Sequence, residues 1–358
     1  MADSADSATI PIVDFRDWGR GSITERRQIA KDLTEACRRV GFVYIVNHGV
    51  PDSLLQQSFD WAERLFGLPE EKKMLAPHPP GPSVHRGYSW PGLEKVSQYI
   101  HKEGEDADIE DAELRNVPDC KESYEIGSDE FESQPNVWLP EDVLPGFRDF
   151  MTAFYWKCFG AGKDVLSALA LGLDLDNDQY FLRYHDGHGN QLRLLHYPPI
   201  ETEKLSTGAA ARIGAHSDWG TITLLFQDEC GGLQVEHPDK PGTFIDATPV
   251  KNAMVVNVGD LLMRWSNGKI QLYTAHTPLL PEIYTSPSDN APVDRSRTKA
   301  TPQATRARYS IPYFVCPNPD AVIECIPQCT GPDNPPKYDT VTQDAYNRMR
   351  GKLQYSEK

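Results

Sequence analysis

The chain of 358 residues predicts a mainly β fold with flanking helices, a double-stranded β-helix (jelly-roll) core buttressed by N-terminal helices. Three observations carry that expectation. The N-terminal half holds long stretches with apolar residues at helical spacing. From residue 190 onward the texture changes to short β-rich runs separated by Gly, Pro, Asn and Asp. Hydrophobic residues make up 39% and aromatics 10%, enough for a substantial core. About eight short strands late in one chain suit a barrel of two sheets, with the helices packed against it.

Ile10-Pro11-Ile12-Val13-Asp14-Phe15 reads as a short strand. A helix over 24–40 follows, with Thr24 as N-cap and Ile29, Leu33 and Cys37 as its apolar stripe. Gly41 ends it, and residues 42–46 form a second strand closed by Asn47-His48-Gly49. A helix over 51–66 turns Leu54, Leu55, Phe59, Ala62 and Phe66 inward. Residues 78–91, rich in Pro, Gly and aromatics, read as an ordered loop. The acid-rich stretch 101–119 reads as a solvated insertion. A helix over 145–172, with Phe150, Phe154, Cys158, Val165, Leu166 and Leu169, should pack across the outside of the barrel. Strands are expected at 191–197, 221–227, 232–236, 243–246, 253–258, 261–265, 270–275 and 307–316. Residues 284–305 interrupt them as an inserted loop, and a helix over 340–354, with Tyr346 and Met349, closes the chain as a lid. The whole is read as a single domain, 1–358. Its parts are a helical portion 1–180, a jelly-roll core 181–325 and a C-terminal tail 326–358.

The net charge of −16 leaves no basic patch to neutralise phosphates, so neither nucleic acid nor an anionic membrane is expected as a partner. A small molecule is the expected partner, and the oligomeric state stays open. The seven cysteines are scattered, with no second close pair beside Cys325 and Cys329 to build a zinc knuckle. They read as reduced thiols, Cys37 and Cys158 as helix-packing residues. The acidic N-terminus is no signal peptide, and no apolar run is long enough to span a bilayer. A soluble, cytoplasmic protein is expected.

The chemistry gathers around His216-Ser217-Asp218. Side chains one residue apart on extended backbone point the same way, so His216 and Asp218 can supply two corners of a 2-His-1-carboxylate triad, the ligand set of mononuclear non-haem Fe(II) oxygenases. His276, next to another strand, is the candidate third ligand; the alternative is a polar turn residue. In Arg308-Tyr309-Ser310-Ile311-Pro312-Tyr313-Phe314 the period of two puts Arg308, Ser310 and Phe314 on one face. An inward Arg and Ser suit a guest carboxylate, unless Arg308 pairs with a protein acid such as Asp260. By the same parity Arg193, Leu195 and Tyr197 share a face, so Tyr197 could bond a ligand near the metal with Arg193 further along the cavity. The donor set alone also fits catalytic zinc, a use that would leave Arg308 without a purpose.

His216-x-Asp218, His276 and Arg308-x-Ser310 together resemble the signature of the 2-oxoglutarate/Fe(II)-dependent dioxygenases, isopenicillin N synthase-like branch. The stretches Ile10–Phe15, Gly41–Tyr44 and Asn47–Val50 are similar to that branch too, so the resemblance spans nearly the whole chain. Within it, 86–89, 94–98, 121–127, 192–198 and 244–249 are similar to the thymine 7-hydroxylase group. The resemblance implies a dioxygenase using Fe(II), 2-oxoglutarate and O2. His216, Asp218 and His276 would bind iron, Arg308, Ser310 and Tyr197 would hold 2-oxoglutarate, and Arg193 and Phe314 would contact the substrate. It also implies oxidation, chiefly hydroxylation, of a C–H bond in a small planar or heterocyclic, pyrimidine-like molecule. Three features depart from the pattern. Trp219 replaces a Tyr that helps sandwich the base, Thr277-Pro278 follows the second histidine where Arg-Val is usual, and the interval from His276 to Arg308 is about twice the family's. An oxidative tailoring enzyme of natural-product biosynthesis on the same scaffold is the alternative that Trp219 favours, and a non-catalytic binding protein is a second.

Overall fold

A computed structural model describes residues 9–81, 84–93, 120–201, 213–272, 275–277 and 305–354. The insertion expected at 101–119 and nearly all of the loop expected at 284–305 lie outside these residues. The first elements are β1 (Ile12–Asp14), α1 (Ile23–Arg39), β2 (Phe42–Val46), α2 (Asp52–Phe66) and the single turn α3 (Glu70–Lys73). Ser22, not Thr24, caps α1. Its hydroxyl accepts the Glu25 N–H at 3.3 Å, and Glu25 Oε2 accepts the Ser22 N–H at 2.7 Å. Thr24 lies inside the first turn and cannot make this reciprocal box. Asn47, at φ 56°, turns the chain after β2 and donates from Nδ2 to Asp14 Oδ1 at 2.7 Å.

The expected loop at 78–91 contains a strand, β3 (Gly87–Ser89), antiparallel to β4 (Glu122–Ile126). The mixed run Glu122-Ser123-Tyr124-Glu125-Ile126 has no apolar alternation, because its polar side chains are buried as well. Next, α4 (Phe147–Gly172) lays Phe154, Cys158, Val165, Leu166 and Leu169 into the main core.

The barrel strands are β5 (Gln191–Tyr197), β6 (Ile213–His216), β7 (Ile222–Gln227), β8 (Gln234–Glu236), β9 (Phe244–Asp246), β10 (Met254–Val258), β11 (Ala275–Thr277) and β12 (Arg308–Val315). Among the described residues they form two main sheets. The large one runs β1-β2-β10-β7-β12-β5-β4-β3 and the small one β6-β11-β8-β9. One face of the large sheet, with Leu192, Leu194, Leu224, Phe226, Ile311 and Tyr313, joins the helices in the main core. Its other face meets the small sheet, where Phe42, Tyr44 and Val255 pack with Leu233, Val235 and Ala247. This is the expected double-stranded β-helix with helices buttressing its large sheet.

Two expected strands are corrected. Residues 261–265 belong to a helix, α5 (Asp260–Trp265). A short apolar run cannot be told from a buried helical turn by periodicity, and Leu, Met and Arg are good helix formers. Residues 270–272 carry no strand, and β11 begins only at Ala275, so His276 lies within a strand. The chain continues through β13 (Val322–Ile323) and β14 (Val341–Thr342) into α6 (Gln343–Gln354), slightly shorter than the helix expected over 340–354. All seven cysteines are free of disulfides, with Cys37 and Cys158 buried. Among the described residues, no helix is long and apolar enough to cross a membrane.

Candidate active site

Asp218 stands in the turn from β6 to β7 and is fixed by the large sheet and by α5. Its Oδ2 accepts from Thr223 Oγ1 at 2.5 Å and from Asn257 Nδ2 at 2.7 Å, both on the large sheet. Its main-chain carbonyl accepts the Asp260 N–H at 2.8 Å, and the Gly220 carbonyl accepts the Leu261 N–H at 3.1 Å. These are otherwise orphan donors of the first turn of α5. Gly259 is required for this approach: a Cβ there would lie 2.2 Å from the Gly220 carbonyl oxygen.

With Oδ2 occupied, Oδ1 faces His216, whose Nε2 is 3.9 Å away. Two adjacent ligands at about 2.1 Å from one ion stand about 3 Å apart, so these atoms would have to close by about 1 Å to share one. His216 ends β6, and Ala275 of β11 pairs with it across the ladder. His276 therefore follows directly on the strand beside His216, and its own backbone partner is Gln234 of β8. The expected ligands come from adjacent small-sheet strands and the turn between the sheets.

Arg308 is buried, at 1% exposure. Its Nε donates to the Gly231 carbonyl at 2.8 Å, its Nη1 to Ser310 Oγ at 3.3 Å, and its guanidinium lies 4.9 Å over the Tyr197 ring. The three residues expected to hold a carboxylate are thus in one cluster. No carboxylate among the described residues pairs with Arg308. Asp260, the acid expected as the alternative partner, is engaged elsewhere, at 3.0 Å from Arg350 Nη1 and 2.6 Å from the Tyr346 hydroxyl. Burial raises the Asp260 carboxyl above its ordinary range, with the Arg350 charge opposing.

Arg193 and Phe314 also meet, the guanidinium 5.9 Å from the ring. Arg193 Nε lies 3.1 Å from Oε1 of Glu125, a buried carboxylate that accepts from Ser123 at 2.6 Å and from Ser89 at 3.2 Å. Trp219 is half-buried, with the Arg350 guanidinium 5.7 Å from its ring. Among the described residues it makes no ring contact with Phe314. Thr223, Asn257, Glu125 and Arg350 go unread in the sequence, and Asp260 is read only as a partner for Arg308. Strand parity could have found Glu125 and Thr223, since each faces the cavity from a position matching Arg193 or Phe314 in the next strand.

A double-stranded β-helix that carries a His-x-Asp turn and a buried Arg-x-Ser without an acidic partner among the described residues has the architecture of a 2-oxoglutarate-dependent oxygenase. Comparison with known proteins reaches the same class. Residues 10–141 match the family model described as non-haem dioxygenase in morphine synthesis N-terminal, and residues 188–317 match the 2OG-Fe(II) oxygenase superfamily. The chain is 35% identical to the 2-oxoglutarate-dependent dioxygenase frbA of a Dothideomycetidae species, over 96% of both chains. It is 36% identical to the proline hydroxylase buaE of Petromyces alliaceus, covering 94% of this chain and 97% of that one. The thymine 7-hydroxylase of Neurospora crassa, solved with 2-oxoglutarate and thymine, superposes with a TM-score of 0.81 at 35% identity over 98% of each chain. The chain belongs to the 2-oxoglutarate/Fe(II)-dependent oxygenase superfamily. It is a dioxygenase that uses Fe(II), 2-oxoglutarate and O2.

Proposed function

We propose that His216, Asp218 and His276 hold the iron, that Arg308, Ser310 and Tyr197 hold 2-oxoglutarate, and that Arg193, Phe314 and Trp219 contact a small ring substrate, pyrimidine-like in shape. The observation that carries this reading is the buried Arg308 guanidinium, bonded to Ser310 and lacking a carboxylate partner among the described residues. A buried cation without a counter-ion is costly, and a guest carboxylate removes that cost. When bound, Fe(II) with 2-oxoglutarate and O2 supplies the oxidising power that turns a substrate C–H into C–OH, with release of CO2 and succinate.

The chain's own residues orient and shield. Thr223 and Asn257 tie one Asp218 oxygen, which aims the other at the metal position. Tyr197 lies beneath the Arg308 guanidinium and excludes water from it. Glu125 sets the Arg193 fork, leaving Phe314 as a stacking surface beside it. An uncharged ring with carbonyl acceptors suits that pair, in keeping with the thymine complex of the Neurospora enzyme.

The second reading, oxidation of a saturated ring in natural-product tailoring, draws on buaE, a proline hydroxylase at nearly equal identity. The free thiols support a cytosolic placement, and the motifs at 10–15, 41–44 and 47–50 one in the isopenicillin N synthase-like branch. The test is anaerobic titration with Fe(II) and 2-oxoglutarate, followed by the visible charge-transfer band. The band should form in the wild type and be lost in Arg308→Leu. Iron binding without a band, or a band unchanged by Arg308→Leu, would sink the co-substrate assignment. A panel of thymine, uracil and prolyl compounds, scored by succinate release, then separates the two substrate readings.

A further inference from the structure

The C-terminal helix reaches the metal turn through one side chain. Arg350, on α6, is 7% exposed and makes three separate contacts. Its Nη1 pairs with Asp260 Oδ2 at 3.0 Å, its Nη2 donates to Ser217 Oγ at 3.3 Å, and its guanidinium lies 5.7 Å from the Trp219 ring. Ser217 sits between His216 and Asp218, and Trp219 follows Asp218 directly. Asp260, the counter-ion, donates its main-chain N–H to the Asp218 carbonyl at 2.8 Å. Tyr346, one turn earlier on α6, donates its hydroxyl to the same Asp260 carboxylate at 2.6 Å. By contrast Met349, expected to help form a lid, is 46% exposed.

A planar guanidinium holds several partners at once because its donors form a rigid fork. Here the fork grips the residues on either side of Asp218, while the counter-ion of that fork grips the Asp218 backbone. The turn is therefore held from outside the barrel by α6 and from inside by Thr223 and Asn257. We propose that Arg350 is a positioning residue of the metal site, setting the His216-Ser217-Asp218-Trp219 turn so that α6 is part of the iron-binding apparatus. The proposal rests on the ligand roles given above for His216 and Asp218.

Anaerobic Fe(II) titration of the full chain, with thermal melting and the 2-oxoglutarate charge-transfer band, provides the test. Loss of residues that orient metal ligands costs about ten- to a hundredfold in affinity. Arg350→Met should therefore weaken Fe(II) binding about tenfold or more and shift the band. Arg350→Lys, which keeps the charge opposite Asp260 but not the fork, should recover the melting temperature more fully than the affinity. Arg264→Met is the comparison for helix packing alone, because Arg264 lies 5.1 Å and 5.6 Å from the Tyr338 and Tyr346 rings and bonds the Asp339 carbonyl. It should lower the melting temperature while leaving Fe(II) affinity unchanged. If Arg350→Met does not fold, Asp260→Asn/Arg350→Met removes the buried charge and carries the same prediction. Equal Fe(II) affinity in Arg350→Met and wild type, with binding abolished in His216→Ala, would overturn the positioning role alone. Fe(II) binding unchanged in His216→Ala would overturn the ligand reading and this proposal together.

Discussion

Replacing Arg308 by Met should have different consequences with and without 2-oxoglutarate. In the protein alone, Arg308 is buried at 1% exposure, with one bond to the Gly231 carbonyl and one to Ser310. Hydrogen bonds from a charged donor contribute about 1.5–3 kcal/mol each, so their loss costs roughly 3–6 kcal/mol. Removing a buried charge that lacks an ion-pair partner among the described residues returns a desolvation penalty of several kcal/mol, and Met fills much of the volume. The two nearly cancel, and the variant without co-substrate should stay within about 1 kcal/mol of wild type. With 2-oxoglutarate at a hundred times its Kd, the wild type gains about 2.7 kcal/mol. Truncating one partner of a buried charge pair costs about 2–5 kcal/mol of affinity, so at the same concentration the variant gains less than about 1 kcal/mol. For a chain of this size that is a shift of roughly 4 °C in the wild type and about 1 °C or less in the Arg308→Met variant. Anaerobic thermal unfolding with Fe(II), with and without 2-oxoglutarate, measures both. A loss above about 3 kcal/mol without co-substrate would make Arg308 a structural residue. An undiminished co-substrate shift would refute its role in binding.

Two further outcomes concern the scaffold. His185 is buried with Nδ1 donating to the Phe181 carbonyl and Nε2 accepting from Thr221 Oγ1, and burial pushes its pKa down to about 4. The fold holds it neutral, so stability is full above about pH 6.5 and falls by about 3 kcal/mol in total as the pH drops to about 4; urea unfolding of His185→Gln should show a shallower acid slope than wild type. Lys73 bonds buried Glu122 at 2.6 Å, beside Tyr88 and His196. Lys73→Met should cost about 3–5 kcal/mol near neutral pH by stranding that carboxylate, and less in acid where it can take a proton; a cost below about 1 kcal/mol at pH 7, measured by urea unfolding, would refute the pair's importance.

Parity along β5 and β12 made the cluster of Arg308, Ser310 and Tyr197 legible, because side-chain period is a local property of extended backbone. Arg308, Ser310 and Tyr197 meet as the alternation implies. What parity could not supply is which strands are neighbours. Asn257 reaches Asp218 only because β10 lies beside β7, and Arg350 reaches Ser217 only because α6 folds back over α5. These are long-range facts with no local mark. The Leu261–Trp265 stretch escapes for the opposite reason: an apolar run inside a core is equally consistent with two local structures. Thr24 loses to Ser22 because the cap is decided by Glu25, three residues beyond Ser22, whose carboxylate reaches back to it.

Asp218 belongs to the large sheet through its side chain, while His216 and His276 are carried by neighbouring strands of the small one. An ion held by the three, as proposed, would be a rivet between two leaves. The groups proposed to face a guest ring, Arg193 with Glu125 behind it, sit toward the far margin of the large sheet, on β5 and β4. The rivet and that margin share few residues. Reshaping the margin can change which molecule is oxidised while the riveted half stays as it is, which gives an engineer a natural seam along which to recombine this scaffold with its relatives.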